Sequence, residues 1–345
     1  MSKLAFLLLL MLLPSLKTDA QDKQYQAYAV GFYNVENLFD TTDNTIIRDE
    51  EFLPKGDKVW TTEKYKDKIA NLASVISQLG LDLCKQGISV LGVSEIENDT
   101  VLMDLVKHPL LRSRNYDYVH LNSRDRRGID VGLIYDKDVF TPDEWGLQKV
   151  DLRPIGGTRP TRDILWVKGS LEGEEIIVTV NHWPSRSGGE KRTSPFRNEA
   201  AKVNRLLIDS LLLENPTAKI IVMGDMNDDP NNKSMTSYLR CKSKIKSTGA
   251  DDMYNPYHQL FKTGLGTTAY RDRWSLFDQI AISHALIDEK INGLKYHKAV
   301  IFNKKFLIQP WGKYKGYPFR TFDGDEYQGG YSDHFPVFIY LIKQV

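Results

Sequence analysis

The chain has 345 residues, of which 41% are hydrophobic and 26% are charged, which is ample material for one large buried core. Its formal net charge is +1, so binding to a partner through bulk charge is not indicated, although a local basic cleft is compatible with that total. The two cysteines, Cys84 and Cys241, are too few for a disulfide framework, and whether they pair stays open.

The first twenty residues have the pattern of a secretory signal. Lys3 precedes the apolar run Leu4–Leu13, and Pro14 ends that run. The run is about half of the ~20 residues that a membrane-spanning helix needs, which disfavours a membrane anchor. No cysteine lies near the expected cleavage point, which disfavours a bacterial lipid anchor. We therefore expect a signal peptide over 1–20, a mature chain over 21–345 and export to the periplasm, the cell surface or the medium.

Short apolar runs predict strands along the whole mature chain. They cover Ala27–Tyr33, Ile88–Ser94, Val131–Tyr135, Leu165–Lys168, Ile176–Val180, Ile220–Met223, Phe277–Ile282 and Phe335–Leu341. Three of these strands follow one another with no helix between them, so a regular alternation of strand and helix is disfavoured. The pattern favours a mixed α/β (α+β) fold with two packed sheets and helices outside. No linker or repeat divides the chain, which indicates one domain over 21–345.

Helical periodicity appears in two places. Apolar residues recur at helical spacing from Tyr65 to Leu79, where Gly80 stops the pattern. They recur again from Val203 to Leu211, after a Ser194-Pro195 pair that is typical of a cap and first turn. Long stretches without periodicity cover 40–62, 184–195 and 296–330, and loops of this length in a compact domain are usually functional.

Strongly polar residues stand at the ends of the predicted strands. Side chains that converge at strand ends form the ligand crevice of an α/β sheet, so these residues are candidates for one site. Taken singly, an Asp or Asn after a strand is more often a turn former, and a lone His is more often structural. Turn chemistry gives no reason, however, to place His beside Asn in one loop and beside Asp in another. The combination therefore favours a catalytic site, made of Asn34, Glu36, Glu95, Asn181, His182, Asp225, Asn227, Asp278, Asp333 and His334.

Seven segments, in their order along the chain, resemble the motifs of the endonuclease/exonuclease/phosphatase superfamily, in particular deoxyribonuclease-like and exported bacterial members. They are Phe32–Asn37, Gly92–Glu95, Gly128–Leu133, Val180–His182, Gly224–Asn227, Phe277–Ile280 and Ser332–Val337. The resemblance covers the whole mature chain. It implies a four-layer α-β-β-α sandwich with two packed mixed sheets, and a metal-dependent phosphoric ester hydrolase.

The resemblance implies a metal site built on Glu95. Hydrolysis of a phosphate ester needs a cation to neutralise the phosphoryl oxygens, and Mg²⁺ prefers few carboxylates and several retained waters. Glu95 is the expected ligand for Mg²⁺, with Mn²⁺ as the alternative, and Asn34 and Asp333 are expected to assist it.

The resemblance also implies the groups that activate water and hold the phosphate. His334, oriented by Asp278, and Asp225 are the candidates for taking the proton from water, and how they share that duty stays open. Asn227 would donate to a phosphate oxygen, where a second carboxylate would repel the anion.

His182 would donate to a phosphate or leaving-group oxygen, and Asp130 stands where some family members place its acidic partner.

Basic residues flank three of these motifs. A charge run is usually a solvated surface, but these runs lie next to the candidate site, which favours contact with substrate phosphate. We expect Arg186 and Arg127 to bind substrate, together with Asn34. Trp274 is expected to stack on a base or sugar, and Trp183 is the second candidate for such stacking.

The leading functional hypothesis is an exported nuclease acting on DNA or RNA. A phosphatase, or a phosphodiesterase acting on a phospholipid or sphingomyelin, is the alternative on the same site, and a non-catalytic binding module is a third. We expect no stable membrane insertion, and we take the chain as a monomer. A purely structural alternative for Asp225, Asp228 and Asp229 is a calcium site that has no part in catalysis.

Overall fold

The computed structural model describes residues 24–345, so the expected signal peptide lies outside the described residues. Seventeen strands occur in this range, and most of the predicted runs fall inside them. They are β1 Tyr25–Leu38, β2 Ile88–Ile96, β3 Tyr116–His120, β4 Asp130–Asp136, β5 Phe140–Gln148, β6 Ile164–Leu171, β7 Glu174–His182, β8 Ile220–Asp225, β9 Cys241–Lys242, β10 Met253–Tyr254, β11 Thr268–Tyr270, β12 Arg273–Ser275, β13 Asp278–Ser283, β14 Lys295–Ile301, β15 Phe322–Asp323, β16 Glu326–Tyr327 and β17 Val337–Gln344.

The strands form two large mixed sheets and two small hairpins. The first sheet has six strands in the order β14-β17-β1-β2-β4-β3, and the second has seven in the order β5-β6-β7-β8-β13-β10-β9. β1 and β2 are parallel, as are β7 and β8, while β4 and β13 run antiparallel to these pairs. The pairs β11-β12 and β15-β16 form the hairpins. This architecture confirms the predicted α/β sandwich of two packed sheets.

Alternation along the central strands shows why the sheets sit between other layers. In β8, Ile221 and Met223 belong to the core between the two sheets, whereas Ile220 and Val222 belong to a second core. The second core also contains Ala201 of the long helix that covers this sheet. Because successive side chains of a strand point to opposite faces, a strand buried on both faces must be apolar at every position.

Four helices cover the sheets: α1 Thr62–Ile76, α2 Asp99–Val106, α3 Glu190–Glu214 and α4 Tyr257–Lys262. The Thr61 side chain caps α1 by accepting from the Lys64 N–H, and the Asn98 side chain caps α2 in the same way. Short helical turns occur at Glu50–Phe52, Arg153–Ile155, Ser234–Tyr238, Ile245–Ser247, His284–Leu286 and Lys305–Leu307.

The predicted start of α3 is wrong. Pro195 lies inside the helix, which begins at Glu190 after Gly189, and not in its first turn. Proline cannot donate to the carbonyl of Lys191 four residues earlier. The Ser194 hydroxyl donates to that carbonyl at 3.2 Å instead, so the helix tolerates the proline. The expected loop over 184–195 is therefore shorter, and the loop over 296–330 is also shortened, since β14 continues to Ile301.

Cys84 and Cys241 are buried free thiols, and burial raises the pKa of each to about 12. Within residues 24–345, no helix combines the length and the apolar composition needed to cross a membrane.

Candidate active site

Glu95 lies on an irregularity at the end of β2. The pairing of β2 with β4 shifts register between Ser94 and Ile96, and the backbone of Glu95 has a φ of 63°. Bulges and positive φ values in residues other than glycine are enriched next to functional sites, because they redirect a side chain. Here the carboxylate turns inward, where its Oε1 accepts from the Asn34 amide at 3.1 Å and its Oε2 accepts from the Asn37 N–H at 3.0 Å.

Asn34 joins the two sheets at the site. Its Nδ2 donates to Glu95 of the first sheet and, at 3.1 Å, to Asp225 at the end of β8 in the second. Its Oδ1 accepts from the Glu36 N–H at 2.9 Å. Asn34 therefore holds the two carboxylates close together through its N–H groups, while its expected role as a metal ligand stays a prediction.

Asp225 is a buried carboxylate among like charges. Burial and the charge of Asp278 raise its pKa to about 7, although His334 lowers it. Its Oδ1 accepts from the Asn227 N–H at 2.9 Å, which closes the turn after β8. Asn227 has a φ of 49°, and its side-chain amide donates to the Trp183 carbonyl at 2.9 Å, which leaves its second N–H for another acceptor.

His334 and Asp278 form a buried dyad. The Nδ1 of His334 lies 2.6 Å from the Asp278 Oδ2, and its Nε2 faces Asp225 at 4.0 Å and Asp333 at 3.9 Å. Burial alone would lower the pKa of His334, but Asp278, with Asp333 and Asp225, raises it well above its ordinary value. These carboxylates therefore favour the protonated ring, with Nε2 directed into the site.

His182 faces the same point from β7. Its Nε2 lies 3.7 Å from both Glu95 Oε1 and Asp225 Oδ2. Burial, followed by the charges of Arg162 and Arg127, lowers its pKa well below the ordinary value. The pKa values of the two imidazoles are thus shifted in opposite directions, although both rings face the same buried carboxylate.

Asp130 does not pair with His182, so that expectation is wrong. Asp130 accepts from the Ser123 N–H at 2.9 Å and lies 3.2 Å from the Nε2 of His120. Among the described residues, the Nδ1 of His182 is buried without a hydrogen-bond partner. Both carboxylate oxygens of Asp130 therefore already have partners in the preceding strand and loop, and Asp130 is not available to His182.

Arg186 lies in a second charged cluster beneath the loop that follows β8. This arginine-aspartate cluster consists of Arg186, Arg197, Asp228 and Asp229. The Arg186 Nη2 is 3.2 Å from both aspartates, and the Arg197 Nε is 2.7 Å from Asp228. The Arg186 guanidinium also covers the ring of Phe277 at 4.6 Å. These contacts tie Arg186 to its own loops, which is a structural use and not the expected contact with substrate.

The remaining expected substrate contacts differ in exposure. The Arg127 side chain is 55% exposed and reaches Asp125 at 3.4 Å, so its guanidinium is open to a ligand. The Trp274 ring stacks on Phe335 with centroids 5.9 Å apart, next to His334, and is half-buried. Trp183 is 1% exposed and donates to Asn181, so it packs in the core and is not a stacking surface.

Arg162 has a role at the site that the sequence pattern does not indicate. This buried arginine donates from Nε to the His182 carbonyl at 3.1 Å and from Nη2 to the Trp183 carbonyl at 2.7 Å. Its Nη1 donates to Asp125 at 3.1 Å. Arg162 therefore fixes the backbone that carries His182, but it belongs to none of the seven motifs, so no sequence signal identified it.

Lys68 is a second residue that the sequence reading missed. Its Nζ lies 3.8 Å from Glu36 and donates to the Tyr331 carbonyl at 2.7 Å, next to the Asp333-His334 turn. Burial raises the pKa of Glu36 to about 7 and lowers the pKa of Lys68 to about 8. A signal was present, because Lys68 interrupts the apolar face of α1 at a buried position.

Two groups of side chains in residues 24–345 have the geometry to hold a metal ion. One contains Glu95, His182 and Asp225, and the other contains Asp225, Asp278 and His334, with ligand atoms within 4.8 Å of one another in each. A hard divalent cation prefers carboxylate oxygen and open positions for water, which Glu95 and Asp225 provide. Neither group contains Asp333, and Asp228 and Asp229 pair with arginines rather than joining Asp225 in a calcium site.

The sequence matches the model of the Endonuclease/Exonuclease/phosphatase family over residues 29–343. The chain belongs to this family, whose members are phosphoric ester hydrolases and typically depend on divalent metal ions. No curated protein matches the sequence.

Solved structures share the fold at low identity. An endonuclease/exonuclease/phosphatase family protein from Bacteroides thetaiotaomicron has a TM-score of 0.56 and 17% identity, covering 93% of this chain and 100% of its own. The mannosyl-6-phosphatase of that organism has a TM-score of 0.55 and 17% identity, covering 91% and 99%. D. rerio TDP2 complexed with a single-stranded DNA product has a TM-score of 0.54 and 15% identity, covering 91% and 98%.

Proposed function

We propose that the chain is an exported, metal-dependent phosphodiesterase that hydrolyses nucleic acid by attack of water on phosphorus. One observation carries the proposal: His182, Asp225 and His334 converge on one point with Glu95 and lie on both sheets. Three of these side chains are buried, and their pKa values are shifted in different directions, which is typical of acid-base sites.

The two titratable groups suit different tasks. Asp278 raises the pKa of His334 and so favours its imidazolium, which is suited to neutralise a phosphoryl oxygen rather than to take a proton from water. The pKa of Asp225 is raised to about 7, and its carboxylate faces the site. Asp225 is therefore the group that accepts the proton from water.

The other polar side chains hold the substrate and the leaving group. Neutral His182 presents Nε2 to the same point, where it donates to the leaving oxygen if its tautomer carries the proton there. The unused N–H of Asn227 is available to a phosphate oxygen. Glu95, which faces the same point, would hold Mg²⁺ or Mn²⁺, and a cation bound there would neutralise charge on the phosphoryl oxygens.

The substrate class is the finer part of the proposal. TDP2 of similar fold is described with a single-stranded DNA product, which supports nucleic acid. A mannosyl-6-phosphatase has the same fold, which supports a phosphomonoester as the alternative. Export rests on the pattern of residues 1–20.

A substrate panel tests the proposal. The mature chain from Gln21 is incubated with duplex DNA, single-stranded RNA, sphingomyelin and a phosphomonoester, each with Mg²⁺, with Mn²⁺ and with a chelator. We expect metal-dependent cleavage of a nucleic acid, and none by the Asp225→Asn variant. Turnover of the lipid or the monoester alone would retain the site and replace the substrate. No turnover of any of the four would favour the binding module.

A further inference from the structure

A groove of about 610 Å³ beside the candidate active site is lined by a concentration of arginine. Six arginines line this arginine groove against a single acidic residue, Asp125. The whole chain has a formal charge of only +1, so the positive charge is local. The six are Arg48, Arg126, Arg127, Arg159, Arg162 and Arg192.

The arginine groove lies beside the catalytic cluster, which consists of Glu95, His182, Asp225 and His334. Arg162 at its base holds the His182 and Trp183 carbonyls, and Pro184 and Ser185, which follow them, form part of its wall. Arg48 and Arg127 also line a neighbouring cavity of about 290 Å³, together with Glu36 and Asn37. The Asn37 N–H bonds Glu95, so this cavity adjoins a residue that contacts the expected metal ligand.

Most of the positive charge in the groove is uncompensated. Asp125 pairs with Arg162 and Arg127. In the chain from residue 24 onward, no carboxylate lies within ion-pair distance of the other four arginines, which are exposed: Arg48, Arg126, Arg159 and Arg192.

The arginines come from separate segments that the fold holds together. The Arg48 N–H bonds the Arg126 carbonyl at 2.8 Å, which links the loop after β1 to the loop before β4. Arg159 lies in the loop before β6, and Arg192 lies in the first turn of α3. Mutual repulsion among these guanidinium groups opposes such convergence, so a bound polyanion is the simplest reason for it.

We propose that the arginine groove binds the phosphodiester backbone of a nucleic-acid strand next to the bond that is cut. This inference rests on the proposed function and names the part of the substrate that lies outside the catalytic cluster. A single phosphate ester would occupy the cluster and leave the four exposed arginines without an anion, whereas a strand places further phosphates along the groove. One guanidinium group can donate two hydrogen bonds to the oxygens of one phosphate, so the arginines of the groove are suited to bind a strand's phosphates.

Binding of a fluorescein-labelled single-stranded DNA oligonucleotide tests the inference. The Asp225→Asn chain is used throughout so that the DNA stays intact, and anisotropy gives the dissociation constant from about 50 to about 200 mM salt. In that chain, Arg159→Gln/Arg192→Gln should weaken binding. Each phosphate contact contributes about 0.7 to the slope of log affinity against log salt for a single strand, so the slope should become shallower by about 1.4.

The control removes the same charge at the opposite edge of the second sheet. Lys246 and Lys262 are exposed there, and Lys246→Gln/Lys262→Gln should leave the salt dependence as it was. Equal slopes in the two double variants would overturn the inference. If Arg159→Gln/Arg192→Gln lost binding to phosphatidylglycerol vesicles while its DNA binding was unchanged, the inference would also be overturned. The ligand of the groove would then be an anionic lipid surface.

Hydrolysis of bis(p-nitrophenyl) phosphate by the unaltered chain separates this inference from the proposed function. This small diester tests the catalytic cluster without filling the groove. Groove-dependent DNA binding without diester hydrolysis would remove the proposed activity and retain the groove. Diester hydrolysis without groove-dependent DNA binding would retain the proposed activity and remove the proposed role of the groove.

Discussion

Two clusters of buried charge lie side by side at the end of β8, and they differ in how their charge is balanced. In the arginine-aspartate cluster, Asp228 and Asp229 each have an arginine within 3.2 Å. In the catalytic cluster, neither Glu95 nor Asp225 has a lysine or arginine within 4 Å among residues 24–345, and the basic side chains that face them there are imidazoles. Balanced charge stabilises the loops, whereas unbalanced charge leaves the carboxylates available to a cation and a proton.

The largest expected effect comes from breaking the catalytic cluster. Asp225→Asn keeps the shape of the side chain but cannot accept a proton, so kcat should fall by about 10²- to 10⁴-fold. The variant should remain folded, because it removes a buried charge that has no strong cationic partner. Steady-state kinetics with Mg²⁺ and thermal unfolding check the two statements. Asp136→Asn, a buried aspartate at the end of β4, is the matched control and should retain activity. Wild-type turnover by Asp225→Asn would contradict the site.

Breaking the arginine-aspartate cluster should act on stability instead. Arg197→Met leaves Asp228 buried beside Arg186 alone, so the free energy of unfolding should fall by about 3–5 kcal/mol. Urea denaturation measures this change. Adding Asp228→Asn should recover part of the loss, because it removes the buried charge left behind. A loss well below about 1 kcal/mol would show that the cluster contributes little to stability.

Glu95→Gln should sharpen the comparison at the metal site. Removing one carboxylate charge should raise the Mg²⁺ concentration needed for half-maximal activity by about 10- to 100-fold, with the chain still folded. A Mg²⁺ titration of the hydrolysis rate gives this value. Glu97→Gln is the matched control, since Glu97 is buried two residues away and bonds the Asp40 N–H rather than the catalytic cluster. An unchanged Mg²⁺ requirement in Glu95→Gln would contradict the assignment.

The smallest effect concerns a balanced carboxylate far from the site. Burial alone would raise the pKa of Glu174, but Lys219, the Leu294 N–H at 2.8 Å and Lys343 at 3.2 Å lower it. A lowered pKa stabilises the fold above the unfolded pKa of about 4.3, and this stabilisation is lost as the pH falls through the folded pKa. The wild-type chain should exceed Glu174→Gln in stability by about 1 kcal/mol near neutral pH. Urea denaturation at several pH values should show the difference disappearing in acid, and a difference that grew in acid would contradict the sign.

The central strands could be predicted because they are short apolar runs, most of them buried on both faces. The sequence does not predict the edge strands β5 and β14, whose residues are mostly exposed or half-buried. The active-site residues could be proposed because they stand at the ends of the central strands, and the structure brings Asn34, Glu95, His182, Asp225 and His334 together. Periodicity reports burial and spacing, so it identifies strands in the middle of a sheet better than exposed strands at its edge.

The partners of these residues could not be predicted, because partnership depends on distances that cross the chain. Arg186 lies directly after a motif but is held by Asp228 and Asp229, some forty residues further along. Asp130 lies within a motif but bonds Ser123 and His120. Arg162 lies in no motif and yet fixes the His182 backbone. The sequence identifies the polar side chains, whereas the conformation of the loops determines which of them come into contact.

The pairing of β1 with β17 places the two ends of the described chain side by side, with Phe32 opposite Val337. Asn34 lies within the first of these strands, two residues after Phe32, and His334 precedes the second by three residues. His334 stands later in the chain than every other residue of the catalytic cluster, so the cluster is complete only when β17 has paired with β1. A strand pair that joins residues some three hundred positions apart is therefore also the contact on which assembly of the site depends.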